Sequence, residues 1–278
     1  MNVSTQVQLL SVFFPMWNEE DYVERAVRAA EDECQRLVGL GEIADYELVI
    51  VDDCSTDRTP EIADAIAAAD PHVRVVHHPV NRGLGGSIKT GFDSVRGDVV
   101  LYTDADLPFE MLELGRALRV LRHYEADMVS AYRLDRTGEG PRRAVYSFVY
   151  NSLVQAVFGT RVRDINFAFK LVRRHVLDAA RPVSEGSFID AELVIRAQKL
   201  GFHIVQIGVD YFPRTRGIST LSSPAVIRRM LTEMRELRAD LAALQPAAAR
   251  PAAAVPVIPR PAAAPGVERL HAVERVAG

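Results

Sequence analysis

The sequence is poor in cysteine and in long apolar runs, and each shortage narrows the possible functions. It has two cysteines, Cys34 and Cys54, without C-x-x-C spacing and without a preceding signal peptide. A disulfide framework and a zinc site are therefore not expected, and a reducing cytoplasm fits best. No stretch reaches the roughly 20 apolar residues that a membrane-spanning helix needs. Membrane contact, if it occurs, is expected to be peripheral.

The overall composition is that of an ordinary soluble globular protein. Of the 278 residues, 48% are hydrophobic and 25% are charged, and the formal net charge is −4. This length allows one large domain or two small ones. The mild net acidity gives no sign of a nucleic-acid partner. The basic residues are almost all arginine, with only three lysines.

An abrupt change in composition near Gln245 predicts where the folded domain ends. Six of the fifteen prolines lie between Pro246 and Pro265, in a segment made almost entirely of alanine and proline. Proline removes backbone donors and blocks helices, and alanine buries too little apolar surface to offset the entropy of ordering. We therefore predict a single domain over residues 1–244 and a disordered C-terminal tail over residues 245–278.

Strand and helix patterns alternate along the domain. Short apolar runs rich in β-branched residues predict five strands, at residues 7–14, 46–51, 73–77, 98–102 and 127–131. Helical apolar stripes lie between them, at residues 22–37, 59–69, 84–95 and 109–123. This alternation predicts an α/β fold with a doubly wound, mostly parallel sheet flanked by helices. In such sheets ligands bind at the carboxyl ends of the strands.

Polar or glycine-rich segments follow four consecutive predicted strands. They read PMWNEE after the first, DDCSTD after the second, NRGLGG after the third and DAD after the fourth. Each has an ordinary structural explanation as a helix cap or a turn. Because the four would lie together at one edge of one sheet, they favour a ligand-binding site.

Asp104 and Asp106 are the candidate metal ligands of this edge. Two carboxylates that flank one residue directly after a strand suit Mg²⁺ or Mn²⁺ bridging a diphosphate. Such a metal neutralises the charge that builds up on a departing nucleotide diphosphate. Asp53 is expected to accept hydrogen bonds from a nucleobase or ribose. The glycine turn at residues 83–86 is expected to let the backbone approach a ligand closely.

Eight segments of the sequence match motifs of one known family. The first four, VFFPMWNEE, LVIVDDCSTDRT, NRGLGGSIKTG and GDVVLYTDADL, resemble the family 2 glycosyltransferases, which have the GT-A fold. The next four, SAYR, PRRAVYSFVYN, RVRDINFAFKLVRR and RTRGIS, resemble the branch of that family that transfers sugars to polyprenyl (dolichol-like) phosphates. Together they span about residues 7–225.

The resemblance implies a donor site for a UDP- or GDP-linked sugar. The residues at the donor-nucleotide positions are Pro15, Glu19, Asp53, Asp104 and Ala105. Asp104 and Asp106, the DXD motif, would hold the metal, and Asp106 would be catalytic. Arg214 would reach the donor phosphates late in the cycle. Transfer in this family inverts the anomeric centre in one displacement.

The resemblance also implies an acceptor site, at Arg133, Arg143 and Ser147. Arginine suits phosphate because its planar guanidinium donates hydrogen bonds in pairs. A phosphate acceptor is already an anion and needs no general base, whereas a hydroxyl acceptor needs one. The candidate base is Asp190, which equally suits a cap for the helix predicted at residues 191–200.

The predicted function is that of a cytoplasmic, metal-dependent, inverting hexosyltransferase acting on polyprenyl phosphate, with peripheral contact at the inner face of the membrane. The alternative is the same donor chemistry onto a soluble or polysaccharide hydroxyl, which the absence of membrane segments favours. Intact Asp104 and Asp106 argue against a catalytically silent sugar-nucleotide-binding module. A nucleotidyltransferase would have a glycine-rich loop after the first strand, and the segment PMWNEE at that place is not such a loop.

An amphipathic helix is predicted at residues 225–241. It would pack on the domain or lie on an anionic membrane surface.

Overall fold

Strands and helices alternate along the chain, as the apolar patterns predict. The computed structural model describes residues 6–135, 141–212, 224–246 and 257–258, with side chains except at residues 141–144, 224–225 and 257–258. The strands are Val7–Met16 (β1), Ile43–Asp52 (β2), Val73–His77 (β3), Val99–Thr103 (β4), Met128–Arg133 (β5), Phe169–Arg173 (β6), Ile204–Val209 (β7) and Val257–Ile258 (β8). The helices are Val23–Gly39 (α1), Thr59–Ala69 (α2), Gly83–Ser94 (α3), Glu113–His123 (α4), Pro141–Phe158 (α5), Arg174–Ala180 (α6), Ile189–Lys199 (α7), Pro224–Glu236 (α8) and Arg238–Ala243 (α9).

The strands form one mixed, mostly parallel sheet in the order β3-β2-β1-β4-β6-β5-β7-β8. Only β6 runs against its neighbours, β4 and β5, and every other pairing is parallel. The predicted fold class is therefore correct, although β6, β7 and β8 were not among the predicted strands. Because β1 to β5 all point the same way, their carboxyl ends meet at one edge, where β6 begins.

Apolar side chains cover both faces of the sheet. Successive residues of a strand point to opposite faces, so in β1 Val12 and Phe14 join one hydrophobic cluster and Phe13 joins the other. The first cluster packs under α1, α2 and α4, and the second under α3, α5, α6 and α7. Two buried layers of this kind leave the strand-end edge as the place where polar groups meet.

The C-terminal part of the described chain packs on the second cluster. The helix predicted at residues 225–241 is divided at Leu237 into α8 and α9, and Met234 and Leu241 are buried against that cluster. Packing on the domain is therefore the arrangement that the structure has. Within the predicted tail, β8 pairs with β7, and the division into residues 1–244 and 245–278 stays a prediction. No helix of the described residues is long and apolar enough to cross a bilayer.

Candidate functional site

Hydrogen bonds join the loops that follow β1 and β2. The backbone N–H of Asn18 donates to Ser55 Oγ at 3.0 Å, and Asn18 Oδ1 accepts from the N–H of Thr56 at 2.8 Å. Asn18 and Ser55 thus link two loops rather than cap helices. Of the predicted donor residues, Glu19 lies in the joined loops and Pro15 lies just before them in β1, and both are half-buried.

Asp53 organises the loop that follows β3. Its carboxylate accepts hydrogen bonds from the backbone N–H groups of Arg82 (2.7 Å) and Gly83 (2.8 Å). The ring of His78 lies 2.6 Å from Asp53 Oδ1, and its other nitrogen lies 2.8 Å from Thr90 Oγ1. Asp53 is buried, at 3% exposure. The structure therefore gives this carboxylate a role in holding the loop, and its contact with the donor base stays a prediction.

The glycine turn brings two segments of the chain close together. The N–H of Gly85 donates to the Glu185 carbonyl at 3.1 Å. A Cβ atom on Gly85 would lie 2.4 Å from the carbonyl oxygen of Ser184 and 2.7 Å from that of Glu185. The close approach that Gly85 allows in the structure is between α3 and the loop before α7. The approach of the turn to a ligand stays a prediction.

Replacing Gly85 with alanine is expected to lower the free energy of unfolding by about 1–3 kcal/mol, because backbone atoms have to move to admit the methyl group. Chemical denaturation measures this change. Gly39→Ala is the matched control, since a Cβ atom there meets nothing within 4 Å. Equal stabilities of the two variants would contradict the close packing of α3 on the loop.

Two carboxylates stand at the end of β4. Asp104 and Asp106 are half-buried, and Ala105 between them is buried. The next residue, Leu107, has a φ of 44°, so the chain turns sharply there. Burial, followed by the charges of Asp190, Asp104 and Asp106, raises the pKa of Tyr102 well above its usual value. Both carboxylates therefore lie near the buried hydroxyl of Tyr102.

The carboxylates of Asp104 and Asp106 fit a divalent metal that is shared with a ligand. Carboxylate oxygens are the ligands that Mg²⁺ and Mn²⁺ prefer, and Mg²⁺ is commonly held by one or two carboxylates plus substrate phosphates. No group of three or more His, Cys, Asp or Glu side chains in the described residues could hold a metal. A metal bound here would thus complete its coordination with phosphate and water.

Arg133 is held in place at the end of β5, at the same sheet edge. Its Nε and Nη2 atoms donate to the two carboxylate oxygens of Asp164 at 2.7 and 2.5 Å. The guanidinium carbon lies 5.5 Å from the ring centre of Phe167 and 5.2 Å from that of Tyr211. With 7% of its side chain exposed, Arg133 has a fixed orientation that the sequence did not predict.

The other two predicted acceptor residues, Arg143 and Ser147, lie on α5. Ser147 is half-buried, and its carbonyl accepts from Asn151 Nδ2 at 2.7 Å. Asn151 Oδ1 in turn accepts from the N–H of Ile165 at 3.0 Å, which links α5 to the segment before β6. The side chain of Arg143 lies outside the described residues, as does the whole of Arg214, which was predicted to reach the donor phosphates.

Asp190 lies inside the first turn of α7. The helix begins at Ile189 with Phe188 as the N-cap residue, so the interpretation of Asp190 as a helix cap is wrong. Asp190 is 4% exposed, and its Oδ1 atom has no hydrogen-bond partner among the described residues. Burial raises the pKa of Asp190 to about 6, although the charge of Lys170 opposes this shift. At neutral pH this carboxylate is mostly ionised, and it takes up a proton when the pH falls to about 6.

A cavity lies beside these groups but does not contain them. Its volume is about 540 Å³, and it lies between α1 and residues 107–112, directly after Asp106. None of the predicted donor or acceptor residues lines it. The candidate site is therefore defined by side chains at the strand ends, and this cavity is a neighbouring feature.

Comparison with known proteins assigns the chain to a family. The model of the family described as glycosyl transferase family 2 matches residues 11–180. The chain belongs to glycosyltransferase family 2. The family predicted from the motifs is therefore confirmed.

Similar family 2 proteins act in sugar transfer. The chain is 33% identical over 210 residues to glycosyltransferase AglD of Haloferax volcanii, covering 74% of this chain and 33% of that protein. It is 31% identical over 227 residues to an undecaprenyl-phosphate 4-deoxy-4-formamido-L-arabinose transferase of Pseudomonas aeruginosa, covering 81% and 63%. These relatives confirm the resemblance to the polyprenyl-phosphate branch. The chain spans a third to just under two thirds of their lengths.

Solved structures of one sugar-transferring enzyme share the fold. One is glucosyl-3-phosphoglycerate synthase from Mycobacterium tuberculosis in complex with Mn²⁺, UDP-glucose and phosphoglyceric acid. It is 24% identical, has a TM-score of 0.65, and the match covers 84% of this chain and 80% of that chain. Another structure of that enzyme matches with 25% identity and a TM-score of 0.60, covering 81% and 80%. The predicted GT-A-type fold is therefore confirmed.

Sequence reasoning missed several side chains that hold the family 2 site together. Asp164 holds Arg133, His78 contacts Asp53, and Glu192 accepts from the N–H groups of Val183 and Ser184 at 3.0 and 2.7 Å. Asp164 and His78 act on residues 31 and 25 positions away, so no local pattern reveals them. Glu192 acts on a loop eight and nine positions earlier, which a helical or strand periodicity does not show either. Lys170 was also missed, but a lysine within the apolar run FKLVR is a signal that could have been used.

Proposed function

We propose that this protein transfers a sugar from a UDP- or GDP-linked donor to a polyprenyl phosphate, with inversion at the anomeric carbon. The observation that carries the proposal is the common sheet edge. At this edge Asp53 directly follows β2, and Asp104 and Asp106 follow β4. Arg133 is the last residue of β5, which is separated from β4 by β6. Relatives named as undecaprenyl-phosphate sugar transferases support the same acceptor class.

The donor half of the site uses the loops after β1 to β4. Pro15 near the end of β1 and Glu19 in the joined loops would bind the base and ribose, with the loop held by Asp53 beside them. Asp104 and Asp106 would hold Mg²⁺ or Mn²⁺, which supplies charge to stabilise the departing nucleotide diphosphate. Mn²⁺ together with UDP-glucose in a structure that shares the fold supports this choice of metal and donor.

The acceptor half needs a cation and no base. An oxygen of the acceptor phosphate forms a bond to the anomeric carbon while the bond from that carbon to the nucleotide diphosphate breaks, and no proton changes place. Arg133 would orient the acceptor phosphate, since its guanidinium plane is fixed by Asp164. A guanidinium fixed in this way loses less entropy when it binds phosphate.

Partitioning of the labelled sugar tests the proposal. The purified protein is incubated with Mg²⁺ or Mn²⁺, a panel of labelled UDP- and GDP-sugars and polyprenyl phosphate in detergent, and then extracted with organic solvent. We expect label in the organic phase that is stable to alkali and labile to mild acid. Label that stays in water while donor is consumed in the presence of cell extract would overturn the lipid acceptor.

Asp190 supports a second candidate, transfer to a hydroxyl. This carboxylate has the burial and the pKa of about 6 that suit a general base near neutral pH. It would accept the hydroxyl proton as the oxygen attacks the anomeric carbon. A polysaccharide or soluble sugar would then be the acceptor.

Replacing Asp190 with asparagine separates the two acceptors. With a hydroxyl acceptor, we expect kcat to fall at least about 100-fold, and the wild-type rate to rise with pH through about 6, where the carboxylate loses its proton. With polyprenyl phosphate, the variant keeps most of its rate. Steady-state kinetics between pH 5 and 8 measures this, with Asp178→Asn, an exposed aspartate, as control.

Peripheral contact with the cytoplasmic face of a membrane fits a lipid acceptor. Four large apolar side chains are exposed along one turn and a half of α5, with Phe148 the most exposed at 72%. They are Val145, Tyr146, Phe148 and Val149. Exposed apolar residues clustered on a helix commonly mark an interaction surface, and these flank the predicted acceptor residue Ser147.

Replacing both Tyr146 and Phe148 with serine is expected to weaken binding to anionic vesicles at least about fivefold, because each aromatic ring buries apolar surface in the lipid. Sedimentation with phosphatidylglycerol-containing vesicles measures the binding. Leu40→Ser is the control, since Leu40 is 57% exposed at the end of α1, at the opposite edge of the sheet. Unchanged vesicle binding would exclude α5 as the contact surface.

A further inference from the structure

A short segment before β6 carries the carboxylate that holds Arg133. Asp164 lies in this segment and has a φ of 51°, in the left-handed region that residues other than glycine seldom adopt. Its carbonyl accepts from the N–H of Phe167 at 2.9 Å, which closes a turn. A backbone in this region persists only where the surrounding structure holds it. The contacts of the neighbouring residues therefore decide how Asp164 presents its carboxylate to Arg133.

A buried glutamine holds the chain on one side of Asp164. Gln206 in β7 has no exposed surface and lies opposite Ser130 of β5. Its Oε1 atom accepts from the N–H of Arg163 at 3.0 Å, and its Nε2 atom donates to the carbonyl of Arg163 at 3.0 Å. Burying an amide is costly unless its hydrogen bonds are made, and here both ends of the amide bind the backbone of one residue. Gln206 thereby fixes the chain directly before Asp164.

An asparagine holds the chain on the other side. Asn151 in α5 is half-buried, and its Oδ1 atom accepts from the N–H of Ile165 at 3.0 Å. Its Nδ2 atom donates to the carbonyl of Ser147, one turn earlier in α5, at 2.7 Å. Only one orientation of the amide makes both bonds. Asn151 thus connects Ser147, a predicted acceptor residue, to the residue that follows Asp164.

The two amides hold the carboxylate that in turn holds Arg133. Asp164 Oδ2 accepts from the backbone N–H of Arg133 at 3.1 Å and from its Nε atom at 2.7 Å, and Oδ1 accepts from Nη2. A bidentate pair of this kind depends on the orientation of the carboxylate plane. If the chain on either side of Asp164 moved, the guanidinium would move with it. Small displacements of a binding group are costly when a reacting phosphate has to be aligned.

We propose that Asn151 and Gln206 are positioning residues of the acceptor site, which hold the backbone on both sides of Asp164 so that Arg133 meets the acceptor phosphate in a fixed orientation. This rests on the proposed function, in which Arg133 orients that phosphate. The two amides act through the backbone and not through contact with a substrate. Binding of the sugar nucleotide, which uses the loops after β1 to β4, should not depend on them.

The Michaelis constants of the two substrates test this role. Asn151→Leu and Gln206→Met remove the amides and keep side chains of similar size. We expect each to raise the KM for polyprenyl phosphate at least about fivefold, with the KM for the sugar nucleotide within about twofold of wild type. Asn151→Asp should restore the acceptor KM, since its carboxylate still accepts from the N–H of Ile165. Gln155→Leu, which changes an exposed amide one turn later in α5, is the matched control and should alter neither constant.

The pattern of the two constants separates positioning from a loss of folded protein. Fewer folded molecules would lower the apparent kcat and leave both KM values unchanged. That result, or equal rises in the two KM values, would overturn the proposal. If Gln206→Met does not fold, the comparison of Asn151→Leu with Asn151→Asp decides. A wild-type protein that transfers no sugar to polyprenyl phosphate would instead refute the proposed function.

Stability tests the same contacts without any assay of activity. The Tm losses caused by Asn151→Leu and Gln206→Met are measured in the wild type and in the double variant Arg133→Gln with Asp164→Asn. We expect each loss to be at least about 2 °C smaller in the double variant, because the ion pair that the two amides support is no longer there. Additive losses would mean that the amides do not support this pair, and would overturn the proposal whichever acceptor is used.

Discussion

Replacing Asp106 with asparagine is expected to lower kcat/KM for sugar transfer at least about 100-fold, because a neutral amide is a weaker ligand for Mg²⁺ or Mn²⁺ and stabilises the departing diphosphate less. Removal of the metal with EDTA should cause a comparable loss, and added Mn²⁺ should restore the wild type but not the variant. Steady-state kinetics with the labelled donor measures both effects.

The matched control for Asp106 is Asp93→Asn. Asp93 is an exposed aspartate in α3, away from the strand ends, and its replacement should leave kcat/KM and Tm unchanged. Asp106→Asn should also keep its Tm within a few degrees, because the residue is half-buried at the edge of the fold. Transfer by Asp106→Asn at the wild-type rate would mean that the metal and diphosphate are bound elsewhere.

Replacing Arg133 with glutamine is expected to affect both stability and activity. Asp164 would be left as a buried carboxylate without its bidentate partner, which typically costs about 3–5 kcal/mol of unfolding free energy. Transfer to polyprenyl phosphate should fall at least about 100-fold, because the acceptor phosphate loses the fixed guanidinium. Denaturation and the organic-extraction assay measure the two effects separately.

The double variant Arg133→Gln with Asp164→Asn separates the two roles of Arg133. A neutral pair of similar volume should regain most of the stability, because no buried charge is left unpaired. Transfer should stay low. Recovery of both stability and transfer would mean that Arg133 is only structural. Arg161→Gln, which changes an exposed arginine before Asp164, should alter neither property.

The parts of the fold with local signals could be predicted. Five strands and the helices between them follow from the periodicity of apolar residues, which is set within a few positions of the chain. Two of the strands that escaped prediction have a polar residue inside an otherwise apolar run. β6 reads FKLVR and has a buried lysine in its centre, and β7 reads IVQIGV with a buried glutamine. Both are buried by neighbours distant in sequence, which tertiary structure alone supplies.

Site residues that lie in a short sequence motif were predicted. Residues whose role depends on a contact with a distant part of the chain were missed. Asp104 and Asp106 stand out because two carboxylates directly after a strand serve no purpose in packing. Nothing near Arg133 in the sequence indicates that Asp164, 31 positions later, fixes its guanidinium. The role of Asp190 was left open for the same reason, since a cap and a buried carboxylate look alike until the start of α7 is known.

The sequence by itself determined the family, the fold class and the edge of the sheet at which the polar groups meet, because these follow from motifs and periodicities that are read locally. Only the tertiary structure decided that Asp190 is buried inside a helix, that Arg133 is held by Asp164 and that Lys170 is fully buried within the sheet. The physical reason is that the energy of a charge depends on its burial and on the charges around it. Both are set by residues brought together from distant parts of the chain.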